Sequence, residues 1–281
     1  MIRQAKATTS SSSRRDLRVG AVQYLNTKPL VHGLAGGGLD VVYDLPSRLA
    51  DHLRLGQLDI ALVPSVEIFR QAGHAIVSNA CIACRGPVMS VKLLFRTAPH
   101  RVATLAVDEG SRTSAALARI LLAERHGVTS PRIDTLPIGA TTADTAADAV
   151  LLIGDRALGP AAGGGSFQLV WDLGDEWCRW TGLPFVFAVW AARGGSVPPG
   201  LSTRLEAARD EGRANLAAIA AAEAGRYGLT VPQCLSYLQD NLHYDLGERE
   251  LEALRLFRDH AASLGLVPPV PEPTLPLACL R

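Results

Sequence analysis

Apolar positions along this chain gather into short runs separated by amphipathic stretches, the alternation expected of strands and helices in turn. Residues 17–22 (LRVGAV) form a short apolar run that predicts a buried strand. It leads into Asn26-Thr27-Lys28-Pro29, where a side-chain oxygen followed closely by proline signals the start of a helix. Residues 40–44 (DVVYD) predict a second strand, and residues 46–58 carry Leu49, Leu53 and Leu55 on a helical face that closes at Gly56. Residues 59–63 (DIALV) predict a third strand ending in Pro64-Ser65, after which residues 66–71 begin another helix. Strands alternating with helices in this way predict a parallel sheet covered on both faces. Residues 74–84 and 88–95 (VMSVKLLF) are further strands, the second long enough to run between two lobes.

The α/β rhythm then restarts. Residues 101–107 (RVATLAV) predict a strand, 108–114 a polar turn and 115–126 an amphipathic helix closed by Gly127. A short extended piece at 132–136 precedes a buried strand at 149–153 (AVLLI), followed by Gly154-Asp155. Residues 159–166 read as a flexible loop, 167–171 as a strand and 182–190 (GLPFVFAVW), the most apolar segment, as the return crossing. Helices are expected over 201–226, 231–241 and 248–264, before a Pro-rich tail at 267–277. Together these predict an α/β, periplasmic-binding-protein-like arrangement of two lobes with a central ligand cleft. The expected division is a disordered tail over 1–16, a discontinuous first lobe over 17–96 and 191–281, and a second lobe over 97–190.

Composition narrows the function. The chain has 281 residues, room for two lobes of roughly 100–150 residues each. Its 28 basic and 27 acidic residues leave a formal charge of +1, and aromatics are only 5%, so neither a phosphate-backbone stripe nor a base-stacking surface is expected. Residues 1–16 lack the apolar segment of a secretory signal, and no stretch of about 18 apolar residues reads as a membrane span. Five scattered cysteines suit a reducing compartment, so a cytoplasmic protein with no membrane or nucleic-acid partner is expected.

Several segments resemble the chorismate dehydratase family of the futalosine route to menaquinone. They are GAVQYLNTKPL (20–30), LDIALVPSV (58–66), GPVMSVKL (86–93), AVDEGSRTS (106–114), LLIGDRAL (151–158), DLGDEW (172–177) and TGLPFVFAVW (181–190), with Cys81-Ile82 and a weaker match around LHYDLGERE (242–250). They run in the family's order from residue 17 to about 264, and YLNT, PS, SRTS and LIGD together are specific. Gln23 departs from the family pattern, which generally has an aliphatic residue or Ser there. The resemblance implies a type II binding-protein fold, conversion of chorismate to 3-enolpyruvylbenzoate with loss of water, and no cofactor or metal.

Chorismate carries two carboxylates, and carboxylates suit helix amino-termini, where free amides and the positive dipole end converge. Four strand-to-helix junctions offer such ends: Asn26-Thr27, Pro64-Ser65, Ser111 to Ser114, and Gly154-Asp155. Asn26 is the first catalytic candidate, because an amide donates to a leaving hydroxyl or a carboxylate without titrating; otherwise it only caps a helix. Ser90 is the second, to orient the substrate or its departing oxygen, against a simple packing role. Thr27, Ser65, Ser111, Thr113, Ser114, Gly154 and Asp155 are expected to bind substrate, with capping as the bland alternative. No His, Glu or Lys stands at the four junctions. The substrate's own enolpyruvyl carboxylate is therefore a candidate proton acceptor, at high effective concentration.

Other signals read as structural. Cys81 and Cys84 form one CxxC without a second pair or a helix opening. The glycine runs at 36–38 and 163–165 lack a phosphate-loop lysine. The four tryptophans suit core packing, Glu67 a salt bridge, and His32, His74 and His126 surface or helix positions. Two rival readings share the fold: a solute receptor without activity, and the dihydroxynaphthoate-forming enzyme of the same pathway.

Overall fold

The computed structural model describes residues 16–159, 167–194 and 198–269. The expected tail, the GGGS loop and most of the Pro-rich end therefore lie outside the described residues. Eleven strands form two sheets. They are β1 (Leu17–Val22), β2 (Leu39–Asp44), β3 (Ile60–Pro64), β4 (His74–Cys84), β5 (Val91–Phe95), β6 (Thr104–Asp108), β7 (Arg132–Leu136), β8 (Ala149–Ile153), β9 (Leu169–Asp172), β10 (Phe185–Arg193) and β11 (His243–Asp245). The first sheet runs β11-β4-β10-β3-β1-β2 and the second β7-β6-β8-β5-β9. Helices α1 (Pro46–Arg54), α2 (Glu67–Arg70), α3 (Thr113–His126), α4 (Asp155–Leu158) and α5 (Leu173–Thr181) lie between these strands. The carboxyl-terminal part supplies α6 (Leu201–Ala214), α7 (Leu216–Glu223), α8 (Val231–Ser236) and α9 (Glu248–Ser263).

Each sheet has the parallel core that the alternation predicts: β1 pairs in parallel with β2 and β3, and β6 with β7 and β8. Each also takes in one crossing strand in the opposite direction. β5 pairs antiparallel with β8 and β9, and β10 pairs antiparallel with β3 and β4. Residues 91–95 thus sit in the second sheet and 185–190 in the first. The strands change sheet at residues 85–90 and 182–184, not at the expected 96/97 and 190/191. The physical reason is that both crossing strands are mostly apolar. Apolar runs announce burial, but they do not say which sheet does the burying.

An aromatic cluster ties the halves together. The Trp177 ring of α5 lies 5.2 Å from Phe185 of β10 and 6.3 Å from Phe257 of α9, edge-on in both cases. The Trp177 indole N–H donates to the Pro184 carbonyl at 2.9 Å, so the return connection is pinned as well as packed. On the far side, α6 presses on the turn at Leu25–Val31. A Cβ on Gly212 would fall 1.9 Å from the Pro29 carbonyl oxygen, so only glycine fits there. Gly212→Ala should therefore cost about 3 kcal/mol or more through overpacking, read as a lower urea midpoint. An unchanged midpoint would show that α6 can back away from the turn.

Candidate active site

A cavity opens between the two sheets. Tyr24, Asn26 and Pro64 line it from the first lobe, and Ser111, Thr113, Ser114 and Gly154 from the second. Ser90, on the connection between the lobes, lines it too. Six of the nine expected site residues therefore share one cavity: Asn26, Ser90, Ser111, Thr113, Ser114 and Gly154.

The remaining three sit behind its wall. Ser65 is fully buried; its hydroxyl donates to the Val186 carbonyl at 2.7 Å and lies 3.4 Å from the Thr113 hydroxyl. Thr27 is buried, with its hydroxyl 3.3 Å from the Asn26 amide oxygen. Asp155 accepts the Leu25 amide at 3.0 Å, across the two lobes. Ser65 and Thr27 thus touch the cavity residues Thr113 and Asn26, while Asp155 holds Leu25, which lies between the cavity residues Tyr24 and Asn26.

The helix ends also differ from expectation. Asn26 lies in a tight 3₁₀ turn over Leu25–Val31 whose capping position is Tyr24, without a side-chain cap. α2 and α4 are four residues long, too short for a substantial dipole. Of the four expected junctions, α3, with 14 residues, is the one that brings a full helix start to the cavity; Pro46, at the start of the nine-residue α1, lines it as well. Of the first-turn amides of α3, that of Ala116 is bonded to the Arg112 carbonyl and that of Ala115 to Ser111, while Thr113 and Ser114 belong to the lined part of the wall. The Ser111 hydroxyl accepts the Ala115 amide at 3.1 Å, and the Thr113 hydroxyl accepts the Val66 amide at 3.2 Å from the other lobe.

Ser90 owes its position to Met89 and Asp172. Met89 adopts φ 62°, a left-handed conformation unusual for a non-glycine residue. The Asp172 carboxylate holds it there by accepting the Val88 amide at 3.0 Å and the Met89 amide at 2.6 Å. The same carboxylate caps α5 through Gly174 and Asp175. Behind Ser90 stands the buried Tyr237 phenol; burial pushes its pKa up, against the smaller opposing pull of the nearby Ser90 and Asn26 side chains. Tyr237 opens a π-helical turn over Tyr237–Asn241, a distortion often found at functional sites.

The charges near the cleft are paired. The Arg112 guanidinium binds Asp51 at 2.7 Å and Glu67 at 3.3 Å across the lobes, and Arg48 binds Glu109 at 3.1 Å. The buried Asp108 is matched by Arg156 at 2.8 Å; burial nevertheless raises its pKa. Burial raises Asp155 further, to about 6, against the pull of the Leu25 amide and Lys28. Among the described residues, no group of three or more His, Cys, Asp or Glu is arranged to hold a metal ion.

Tyr24, Arg112, Asp172 and Tyr237 were not anticipated as site residues. Tyr24 and Asp172 stand inside the matched segments YLNT and DLGDEW, but neither was singled out there. Arg112 sits within SRTS, and Tyr237 lies on a helical distortion that no periodicity betrays.

A family model described as menaquinone biosynthesis matches residues 17–263. The chain belongs to this family. A curated relative in Thermus thermophilus, named chorismate dehydratase, is 34% identical over 265 residues, covering 88% of this chain and 95% of that one. Protein AF1704 of Archaeoglobus fulgidus superposes with a TM-score of 0.73 at 17% identity, covering 91% of this chain and all of that one. The alkanesulfonate-binding protein SsuA of Xanthomonas axonopodis pv. citri, bound to MOPS, gives 0.67 at 14% identity, with 91% of this chain and 95% of that one covered. These two likenesses show the fold of this menaquinone-biosynthesis family member: periplasmic-binding-protein-like, with two α/β lobes.

The Asp155 carboxyl gives a pH test. Its folded pKa of about 6 lies above the ordinary 3.8, so the folded chain binds the proton more tightly than the unfolded chain. Its contribution is then most favourable at acid pH and is lost as pH rises from about 4 to about 6. Asp155→Asn should therefore gain stability over wild type across that window, by at most about 3 kcal/mol. Urea melts at a series of pH values read this, and a difference that does not vary with pH would show that Asp155 titrates normally.

Proposed function

We propose that this protein is a chorismate dehydratase of menaquinone biosynthesis, a carbon–oxygen lyase, and that Asn26 and Ser90 act on the reacting ring. One observation carries the roles of these residues. Asn26 and Ser90 face the same cavity as the α3 helix start, and both lie close enough to the buried Tyr237 phenol to act on its pKa. The substrate is small and doubly anionic. Backbone amides and hydroxyls at Ser111 to Ser114 suit a carboxylate without needing a free cation.

The reaction breaks the C–H bond on the ether-bearing ring carbon and the C–O bond of the neighbouring hydroxyl. The electron pair of the C–H bond joins the ring, which becomes aromatic, and the hydroxide leaves as water after taking a proton. Aromatisation supplies the driving force, so the protein's task is to hold one conformer and to favour elimination over rearrangement. Asn26 and Ser90 orient and stabilise the departing oxygen. The departing hydroxyl and the adjacent proton lie on the same ring face. The enolpyruvyl carboxylate of the substrate reaches that proton within the molecule. Asp155 supports this assignment by its placement: it is turned to the Leu25 amide behind the wall.

Thr27 and Ser65 serve by bracing Asn26 and Thr113, and Asp155 by joining the lobes. We also propose lobe boundaries at the two strand connections, 85–90 and 182–184. No helix of the described residues is long and apolar enough to cross a membrane, and the reading adopted here places the enzyme in the cytoplasm.

Purified protein given chorismate, without added nucleotide or metal, should consume its absorbance and release 3-enolpyruvylbenzoate, identified by mass spectrometry. Binding without turnover would instead make the protein a receptor. Asn26→Ala should lower kcat by about two to three orders of magnitude with the fold intact, as for loss of a donor to a developing anion. Near-normal kcat would remove Asn26 from the chemistry. Asp155→Asn should keep turnover within about tenfold of wild type. An inactive variant that still binds would point to a protein base.

A further inference from the structure

We propose that Tyr24 is a substrate-binding group, its phenol O–H donating a hydrogen bond to a carboxylate of the bound dianion. The inference rests on the chorismate reading and adds a residue to it.

Tyr24 lines the cavity and is only 6% exposed, yet its hydroxyl has no hydrogen-bond partner. A donor buried without an acceptor costs desolvation energy and gains nothing in return, so such an atom in a ligand cleft calls for an acceptor from the ligand. Neither nearby carboxylate accepts from it; both make their bonds elsewhere. Asp108 accepts from Gly110 at 3.0 Å with one oxygen and from Arg156 at 2.8 Å with the other. Asp155 accepts the Leu25 amide.

Two glycines of the opposite lobe make room for this ring. A Cβ on Gly154 would lie 2.6 Å from a Tyr24 ring carbon, and one on Gly110 would lie 2.9 Å from the hydroxyl oxygen. Both glycines also line the cavity. The phenol thereby reaches from the first lobe to Gly110, in the loop that precedes α3, and lines the same cavity as the start of that helix. Burial, reinforced by the negative field of Asp108 and Asp155, holds the phenol well above its usual pKa, so it stays a neutral O–H donor. A neutral donor without a partner, in the same cavity as a helix start, matches an anionic oxygen. Chorismate brings two carboxylates.

Tyr24→Phe removes this one oxygen and keeps the ring against Gly154. Because the hydroxyl bonds to nothing in the protein, the urea midpoint should stay the same or rise. kcat/KM for chorismate should fall by about 10–100-fold, mainly through KM. The affinity for 3-enolpyruvylbenzoate, measured by calorimetry, should weaken by a similar factor. Gly110→Ala, which displaces the hydroxyl without altering it, should move both readouts in the same direction. A Tyr24→Phe enzyme with wild-type kcat/KM and wild-type product affinity would overturn the assignment. If the wild type turns over chorismate and the variant matches it, only Tyr24 is excluded; a wild type inert towards chorismate overturns the functional reading as well.

Discussion

The Asp172 carboxylate accepts hydrogen bonds from four backbone amides, those of Val88, Met89, Gly174 and Asp175, and the geometry of the cleft depends on it. Two of these amides belong to the connection that leaves the first sheet. The other two begin α5 on the second. One half-buried acid thus fastens the crossing to the helix beneath it and holds Met89 in a conformation that costs energy elsewhere. Ser90 follows directly, and its direction into the cavity is a consequence of that strain. Gly174 completes the joint: any Cβ there would lie 2.6 Å from the Cys84 sulfur and 2.8 Å from the Gly86 carbonyl. Strain held at a site by surrounding hydrogen bonds is a recurring way of pre-positioning a reactive group.

A second constraint is electrostatic. The charged side chains around the cleft are paired, several of them between the lobes. Arg112 with Asp51 and Glu67, Arg48 with Glu109, and the Leu25 amide with Asp155 all join one lobe to the other. These ties frame a cleft whose remaining donors are neutral: amides, hydroxyls, the Asn26 amide and the Tyr24 phenol. Neutral donors held in fixed positions stabilise an anion without reorganising as charge moves during the reaction. That matches an elimination in which the protein mainly holds and orients its substrate.

The crossing strands β5 and β10 show how far the pattern of residues goes. Their apolar composition was plain, and so was their burial. Their partners were not, because a mostly apolar strand fits any buried slot, and the choice between sheets rests on long-range pairing such as Val91 with Ile153 or Val189 with Val63. The same holds for helix starts. Asn26, Ser65, Thr113 and Gly154 were all read as caps after strands, from local signals alone. α3 became a 14-residue helix, while the others became a 3₁₀ turn and two four-residue helices. Packing of α6 on the Leu25–Val31 turn, with Gly212 against Pro29, decided the first of these.

By itself, the amino-acid sequence determined the α/β class, the family, and the motifs that supply Asn26, Ser90 and the SRTS helix start, because these depend on local periodicity and on residue identity. Tertiary structure alone decided which motif residues face the cavity and which stand behind it. It turned Ser65, Thr27 and Asp155 inward as braces, and it brought Tyr237 from the carboxyl-terminal half to Asn26 and Ser90. It also left the Tyr24 hydroxyl buried without a partner. Those outcomes depend on atoms contributed by residues more than a hundred positions apart, and on the room left by glycines in the opposite lobe, neither of which is encoded in any local stretch of the chain.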